Sequence, residues 1–163
     1  MLSNSDQKHI TKLHQKKYRE RYSEFIVEGG KGVAEAVDSA NKVINIVVQE
    51  DKEDDFNKII SRAEKRGVPI KICSEQEANK IKTTKTFPGI ICIVKKDQFS
   101  LDDLKDDNPV ICLDRISDPG NLGTIIRTAD WFGIYNILIS EESVEAYNEK
   151  VVRSSMGSIF RSK

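Results

Sequence analysis

VICLDRISDPGNLGTIIRTADWFGIYNILIS, residues 110–140, is the stretch on which the fold turns. It reads as strand, helix, strand. Val110 to Ile116 and Asn136 to Ser140 are short apolar runs rich in branched residues, as buried strands are. Between them Asp118 suits an N-cap, Pro119 a first helical position and Gly133 a C-terminal stop. Leu122, Ile125, Ile126, Ala129 and Phe132 fall on one stripe at about 100° per residue, which is the core-facing side. Arg127 lies across from that stripe and shares its outer face with Gly120, Gly123 and Thr124. The surface one and two turns before the arginine is thus expected to be nearly bare of side chains.

The same alternation extends towards the N-terminus. Strand candidates are Glu24 to Glu28, Val43 to Gln49, Val68 to Cys73 and Gly89 to Lys95. The intervening helical patterns carry Val33, Ala36, Val37 and Ala40, then Phe56, Ile59, Ile60 and Ala63; Gly67 and Pro69 close the second. Alternating strands and helices imply an α/β architecture with a largely parallel sheet. Lys96 to Asn108 (KDQFSLDDLKDDN) interrupts the rhythm: it is acidic and poor in packing residues, and reads as a domain boundary, with a surface loop inside one sheet as the alternative. The expected division is a domain over 1–97, a linker over 98–108 and a second domain over 109–163.

The 163 residues, 38% hydrophobic and 32% charged, suffice to bury a core. Basic and acidic residues number 26 each, so no global positive field announces nucleic acid, and any basic surface must be local. The N-terminus has no apolar signal-type region and no run of apolar residues is long enough to span a bilayer, so the expectation is a cytoplasmic protein that does not enter the membrane. Cys73, Cys92 and Cys112 each sit inside an apolar run and read as buried free thiols. No metal site is expected, and His9 and His14 lack partners at ligand spacing. The concentrated basic segment is Lys8 to Arg21, where a helix would line one side with Ile10, Leu13 and at the margin Lys17 and Tyr18 and leave a basic face to solvent. A solvated helix face explains it; a phosphate-contacting arm is the sharper reading.

In open parallel sheets ligands gather beyond the carboxyl ends of the strands, where a helix N-terminus offers unpaired N–H groups. Neither GxxxxGK[ST] nor GxGxxG occurs, so the glycine-rich turn at Gly120–Gly123 is a weak phosphate signal. Taken alone, Arg127 reads first as a solvated helix-face arginine.

DRISDPGNLGTIIRTADWFG resembles the first signature motif of the SpoU (TrmH-like) RNA 2'-O-ribose methyltransferases of the SPOUT superfamily. The likeness rests on the Asp-Pro-x-Asn-x-Gly turn, the arginine six residues after the asparagine, then Thr128, Ala129 and Phe132-Gly133. Val151 to Arg161 (VVRSSMGSIFR) resembles the second motif through Arg153, Ser155 and Gly157. The basic entry Lys17 to Tyr22, the FIVEGGKGVAEAV segment and TFPGIICIV resemble the substrate-binding domain often placed before this enzyme domain.

The resemblance implies a three-layer α/β/α substrate-binding domain followed by the first part of a trefoil-knotted α/β domain with a parallel sheet. It implies S-adenosylmethionine as methyl donor, RNA, and rRNA above tRNA, as substrate, and a homodimer. By position it makes Asn121 and Arg127 the substrate-side and catalytic residues, with Lys16, Lys17, Arg19, Arg21, Gly120, Gly123 and Arg153 as RNA contacts. Ser155 and Gly157 are expected to serve packing, Phe132 to be core, and Trp131 to be either partly exposed or an interface residue; Arg153 and Arg161 read either as solvated or carbonyl-capping arginines or as RNA contacts. The family's third motif, a glycine-glutamate turn and a Ser-Leu-Asn stretch that build the knot and the donor pocket, does not occur in these residues. The chain is therefore expected to be truncated and inactive alone. A non-catalytic RNA-binding module and a nucleotide-binding α/β domain are the competing readings.

Overall fold

A computed structural model describes residues 1–101, 104 and 109–163, so the expected linker over 98–108 falls partly outside the described residues. The chain forms two units, Met1–Lys96 and Asp97–Lys163.

The first unit is built on a four-stranded sheet of β1 (Glu24–Glu28), β2 (Val43–Gln49), β3 (Ile70–Cys73) and β4 (Ile90–Lys95), in the order β1-β4-β2-β3. β2 and β3 are parallel, joined through helix α4 (Asn57–Lys65), as a strand-helix-strand crossover requires. β4 runs antiparallel to both β1 and β2, so this sheet is mixed rather than largely parallel. Helix α5 (Glu75–Ile81), which follows β3, is only about 10 Å long, and β4 re-enters the sheet from the end at which β3 finishes. β4 occupies the centre and is buried on both faces, which is why IICIV reads as an unbroken apolar run.

Helices cover both faces. α3 (Gly30–Asp38) buries Val33, Ala36 and Val37 and packs with α4 on one side. α1 (Asn4–Leu13) and α5 meet on the other, where Ile10, Leu13, Ile26, Val47, Cys73, Ala78, Ile81, Ile91 and Ile93 form a continuous core. Both helices begin with a reciprocal cap, Ser3 with Asp6 and Ser74 with Glu77, which satisfies two otherwise orphaned N–H groups at each start. Side-chain contacts fasten α1 from outside: the Asp6–Lys71 ion pair at 2.7 Å, which lowers the Asp6 carboxyl pKa, and a hydrogen bond between His9 Nε2 and Glu24 at 2.7 Å.

The basic segment is two helices, not one. α1 ends at Leu13 and α2 spans Lys16–Tyr22. His14 bonds the Ile81 carbonyl at 3.0 Å. Arg19, expected as an RNA contact, is 3% exposed and donates from Nη1 to the Leu13 carbonyl at 2.8 Å. That carbonyl is one of the orphan acceptors at a helix C-terminus, and a buried guanidinium so committed has no access to a phosphate. Lys16, Lys17 and Arg21 stay exposed.

The second unit pairs β5 (Val110–Leu113) and β6 (Asn136–Ile139) in parallel through helix α6 (Pro119–Trp131), followed by α7 (Glu149–Ser154). β5 stops short of the expected Ile116 because Arg115 turns to φ +53. Cys73 and Cys92 are buried; burial raises both thiols, Cys73 to about 11 with help from Glu77 and Glu50. Cys112 is exposed, against expectation, since Val110 and Cys112 face a side of β5 that no described residue covers.

No helix among the described residues is long and apolar enough to cross a membrane, and no cluster of three or more His, Cys, Asp or Glu among them could hold a metal. Replacing Arg19 with alanine is expected to destabilise the chain by about 2 kcal/mol, the range for a buried hydrogen bond to a charged group. Urea denaturation checks this, with an unchanged midpoint as the contrary result.

Candidate functional site

The site is assembled around the start of α6. β5 delivers the chain to Asp118, whose carboxylate accepts the Asn121 N–H at 2.7 Å, with Pro119 in the first turn. The preceding loop is strapped by the segment after β6. The Arg115 N–H donates to Ser140 Oγ and the Ile116 N–H to Ser143 Oγ, both at 3.0 Å, and Val144 N–H donates to the Ile116 carbonyl at 2.8 Å. The reading of the sequence missed Ser140 and Ser143, because nothing local ties hydroxyls on one loop to N–H groups on another. The capping carboxylate also alters the expected chemistry. With Asp118 seated at the helix N-terminus, the amide that an anion would use is already bonded to a negative charge, and Gly120 packs against that carboxylate.

Along α6, Leu122, Gly123, Ile126 and Ala129 are buried. Gly123 was expected on the bare outer face as an RNA contact, and it is instead covered by α7. A Cβ at position 123 would lie 2.6 Å from the Val151 carbonyl and would collide with Ser154 Oγ. Gly123 stands only about 40° round the helix from Arg127, and α7 closes against that flank. Ser154 was also missed. Its hydroxyl donates to Lys150 O at 2.7 Å and reaches Pro119 O at 3.3 Å, so it joins α7 to the first turn of α6.

Asn121, Thr124, Arg127, Thr128 and Trp131 remain exposed on the face left open. Thr124, Arg127, Thr128 and Trp131 line a shallow depression of about 350 Å³. Among the described residues the Arg127 guanidinium has neither a hydrogen bond nor an ion pair. Trp131 is 86% exposed and Phe132 74%. Phe132, expected in the core, is the residue at which the helix ends; it sits past the last buried position, Ala129.

The second-motif residues are arranged around α7. Arg153 is exposed and engaged by neighbouring groups. Ser155 is fully buried, with Oγ bonded to Val152 O at 2.8 Å, and Gly157 turns the chain at φ +94. Arg161 grips Asp130 of α6 with two nitrogens, at 2.7 to 3.1 Å, and holds that carboxyl below the usual range.

Two family models match this chain: the SpoU rRNA methylase family over residues 108–163 and the MRM3-like substrate-binding domain over residues 4–92. The chain belongs to the SpoU methylase family. Among curated relatives, it is 34% identical over 149 residues to the 23S rRNA (guanosine(2553)-2'-O)-methyltransferase of Bacillus subtilis, matching 91% of this chain and 56% of that protein. It is 29% identical to an uncharacterised tRNA/rRNA methyltransferase of Synechocystis, over 93% of this chain and 55% of the other. The AdoMet-bound rRNA methyltransferase from Sinorhizobium meliloti superimposes with a TM-score of 0.83 at 30% identity, covering 99% of this chain and 61% of that one. The SpoU methyltransferase AviRb from Streptomyces viridochromogenes, in complex with AdoMet, gives 0.81 at 25% identity, covering 98% and 62%. The chain thus spans little more than half the length of the curated relatives it matches.

Two stability predictions arise from this SpoU unit. Gly123→Ala should lose about 1–3 kcal/mol, the usual cost of overpacking, because the Val151 backbone cannot swing away as a side chain would; chemical denaturation reads the loss. The Asp130 pKa is lowered in the folded state, so the Arg161 pair stabilises above the ordinary carboxylate range and stops doing so as pH falls through the folded value. Arg161→Ala should therefore lower the melting temperature at pH 7 and lower it less at a pH below the folded value. An equal loss at both would contradict the assignment.

Proposed function

We propose that this chain supplies the RNA-recognition domain and the ribose-side half of the active site of an rRNA 2'-O-ribose methyltransferase that uses S-adenosylmethionine. The observation carrying this reading is Arg127: an exposed, unpaired guanidinium, by the measure of the described residues, on the helix that opens with Asp118-Pro119-Gly120-Asn121 beyond the carboxyl end of β5. Two relatives add support for the substrate, being named for 2'-O-methylation of 23S rRNA. Residues 1–97 are the RNA-binding domain in this reading and 109–163 the enzyme part, with Lys16, Lys17 and Arg21 as phosphate contacts. Arg153 is proposed as a further RNA contact.

Arg127 acts by charge and geometry. A guanidinium with a pKa above about 12 does not accept a proton at neutral pH. It holds a phosphate next to the reactive ribose and stabilises negative charge developing on the 2'-oxygen, a kind of preorganisation worth about 3–4 kcal/mol where a single donor has been removed from such a site. Asn121 presents its amide to the ribose from the first turn. The Asp118 carboxylate disfavours phosphate at the helix N-terminus itself, which leaves that work to Arg127.

S-adenosylmethionine supplies a methyl group on a sulfonium, and the described residues do not compose a pocket for it. The depression beside Arg127 is open, and another cavity of the second unit, about 340 Å³ beside Ile137, Leu138, Ile139 and Tyr147, is mainly apolar. The expected behaviour of the 163-residue chain is RNA binding without appreciable methyl transfer. Exposed Trp131, Phe132 and Tyr135 support pairing of two copies through the C-terminal end of α6.

The test is methyl transfer to rRNA by a methyltransferase that contains this chain. Arg127→Ala should reduce it by a factor of 100 or more with an unchanged circular dichroism spectrum, and Asn121→Ala should reduce it less. Undiminished activity in Arg127→Ala would remove Arg127 from the site. Tight stoichiometric binding of S-adenosylmethionine to the 163-residue chain in a calorimetric titration would overturn the prediction that this chain does not hold the donor.

A further inference from the structure

The first unit carries a surface whose chemistry is more specific than a scatter of phosphate contacts. Beside α1 and α5 lies a groove of about 350 Å³ lined by Gln7, Lys8, Thr11, Lys12 and Lys80. Lys12 links it to an aromatic pair: its Nζ stands 5.5 Å from the centre of the Tyr18 ring, and Lys17 Nζ stands 4.9 Å from the same centre. Tyr22 lies one turn on. Its ring is 6.1 Å from Tyr18 and within 12° of parallel, with Arg21 at 5.9 Å and His9 at 4.9 Å. Tyr22 packs against the hydrophobic core, so it backs Tyr18 with a fixed ring, while Tyr18 remains half-exposed.

The carboxylates nearby are already engaged. Asp6 pairs with Lys71, Glu20 with Lys16, and Glu24 with His9 and Lys95, while Glu77 caps α5 and accepts from Gln7. The groove therefore presents three ammonium groups with little local compensation. A positive groove leading to a stacking ring is the arrangement that holds single-stranded nucleic acid, since the groove tracks phosphates and the ring accepts a base of any sequence. In an A-form duplex the bases are stacked inside and have no face to offer. Lysines resting on a half-exposed ring are exchangeable: a base displaces them from the face and leaves them beside its phosphates.

We propose that this surface binds an unpaired stretch of RNA, with phosphates along Lys8, Lys80 and Lys12 and one extruded base stacked on Tyr18. The inference rests on the RNA-binding reading above and adds to it the form of RNA taken and the residue that selects it.

Fluorescence anisotropy with the 163-residue chain tests it, using one labelled oligoribonucleotide single-stranded and annealed to its complement, over a salt series. The single strand should bind more tightly at every salt concentration. Tyr18→Ala should weaken single-strand binding about tenfold, within the range for a lost base-aromatic stack, with the salt slope unchanged. Tyr18→Phe should bind as the parent does, and Tyr18→Leu, which keeps bulk without a π-face, should lose as much as alanine. Lys12→Ala should lower the salt slope by about 1. Equal affinity for the duplex, or tight binding by both Tyr18→Ala and Tyr18→Leu, would overturn this inference while leaving RNA binding in place. Binding of neither form at low salt would overturn the RNA-binding reading together with it.

Discussion

The second unit depends on one close approach, where α7 lies against α6 at Gly123. The absence of a Cβ there lets Ser154 reach the Pro119 carbonyl and brings the Val151 backbone against the helix. That contact ties the second motif to the first turn of the first motif. Arg161 adds a second clasp further along the same helix through Asp130. With one flank of α6 held by α7 and the buried stripe turned inward, the remaining face is the one that carries Asn121, Thr124, Arg127 and Thr128. The direction in which Arg127 points is thus set by packing in which Arg127 itself takes no part.

The arginines of the chain divide by whether the protein itself uses them. Arg19 serves the Leu13 carbonyl, Arg62 pairs with Asp38 and Arg161 grips Asp130. Arg19 and Arg161 satisfy acceptors that a helix end or partial burial would otherwise leave wanting, while Arg62 makes an exposed surface pair. Arg127 has no such acceptor among the described residues. In the proposed RNA site, an exposed side chain held on a rigid helix and not consumed by the fold would supply locally the positive charge that this neutral chain lacks overall.

Much of the fold was legible because its signals are local. β1 and β2 have the bounds read from their apolar runs, and α6 begins at Pro119 behind an Asp118 cap, as side-chain chemistry dictates. Periodicity identified Val33, Ala36, Val37, Ile59 and Ala63 as buried. Periodicity set Arg127 across the helix from the buried stripe, and the structure leaves it exposed there. Gly123 was misread because a glycine looks the same whether it clears space for a ligand or for another helix. Arg19 was misread because its acceptor, the end of α1, exists only once the helix breaks at His14.

The sequence by itself therefore determined where the strands lie, the start of α6 behind its Asp118 cap and the family, since these follow from periodicity, side-chain hydrogen bonding and motif spacing along a short length of chain. Tertiary structure alone decided the antiparallel entry of β4, the exposure of Cys112 and Phe132, the burial of Arg19 and the filling of the space at Gly123. Each of those depends on which distant segment comes to lie alongside, and the free energy of such a contact belongs to two segments together, so neither carries it alone.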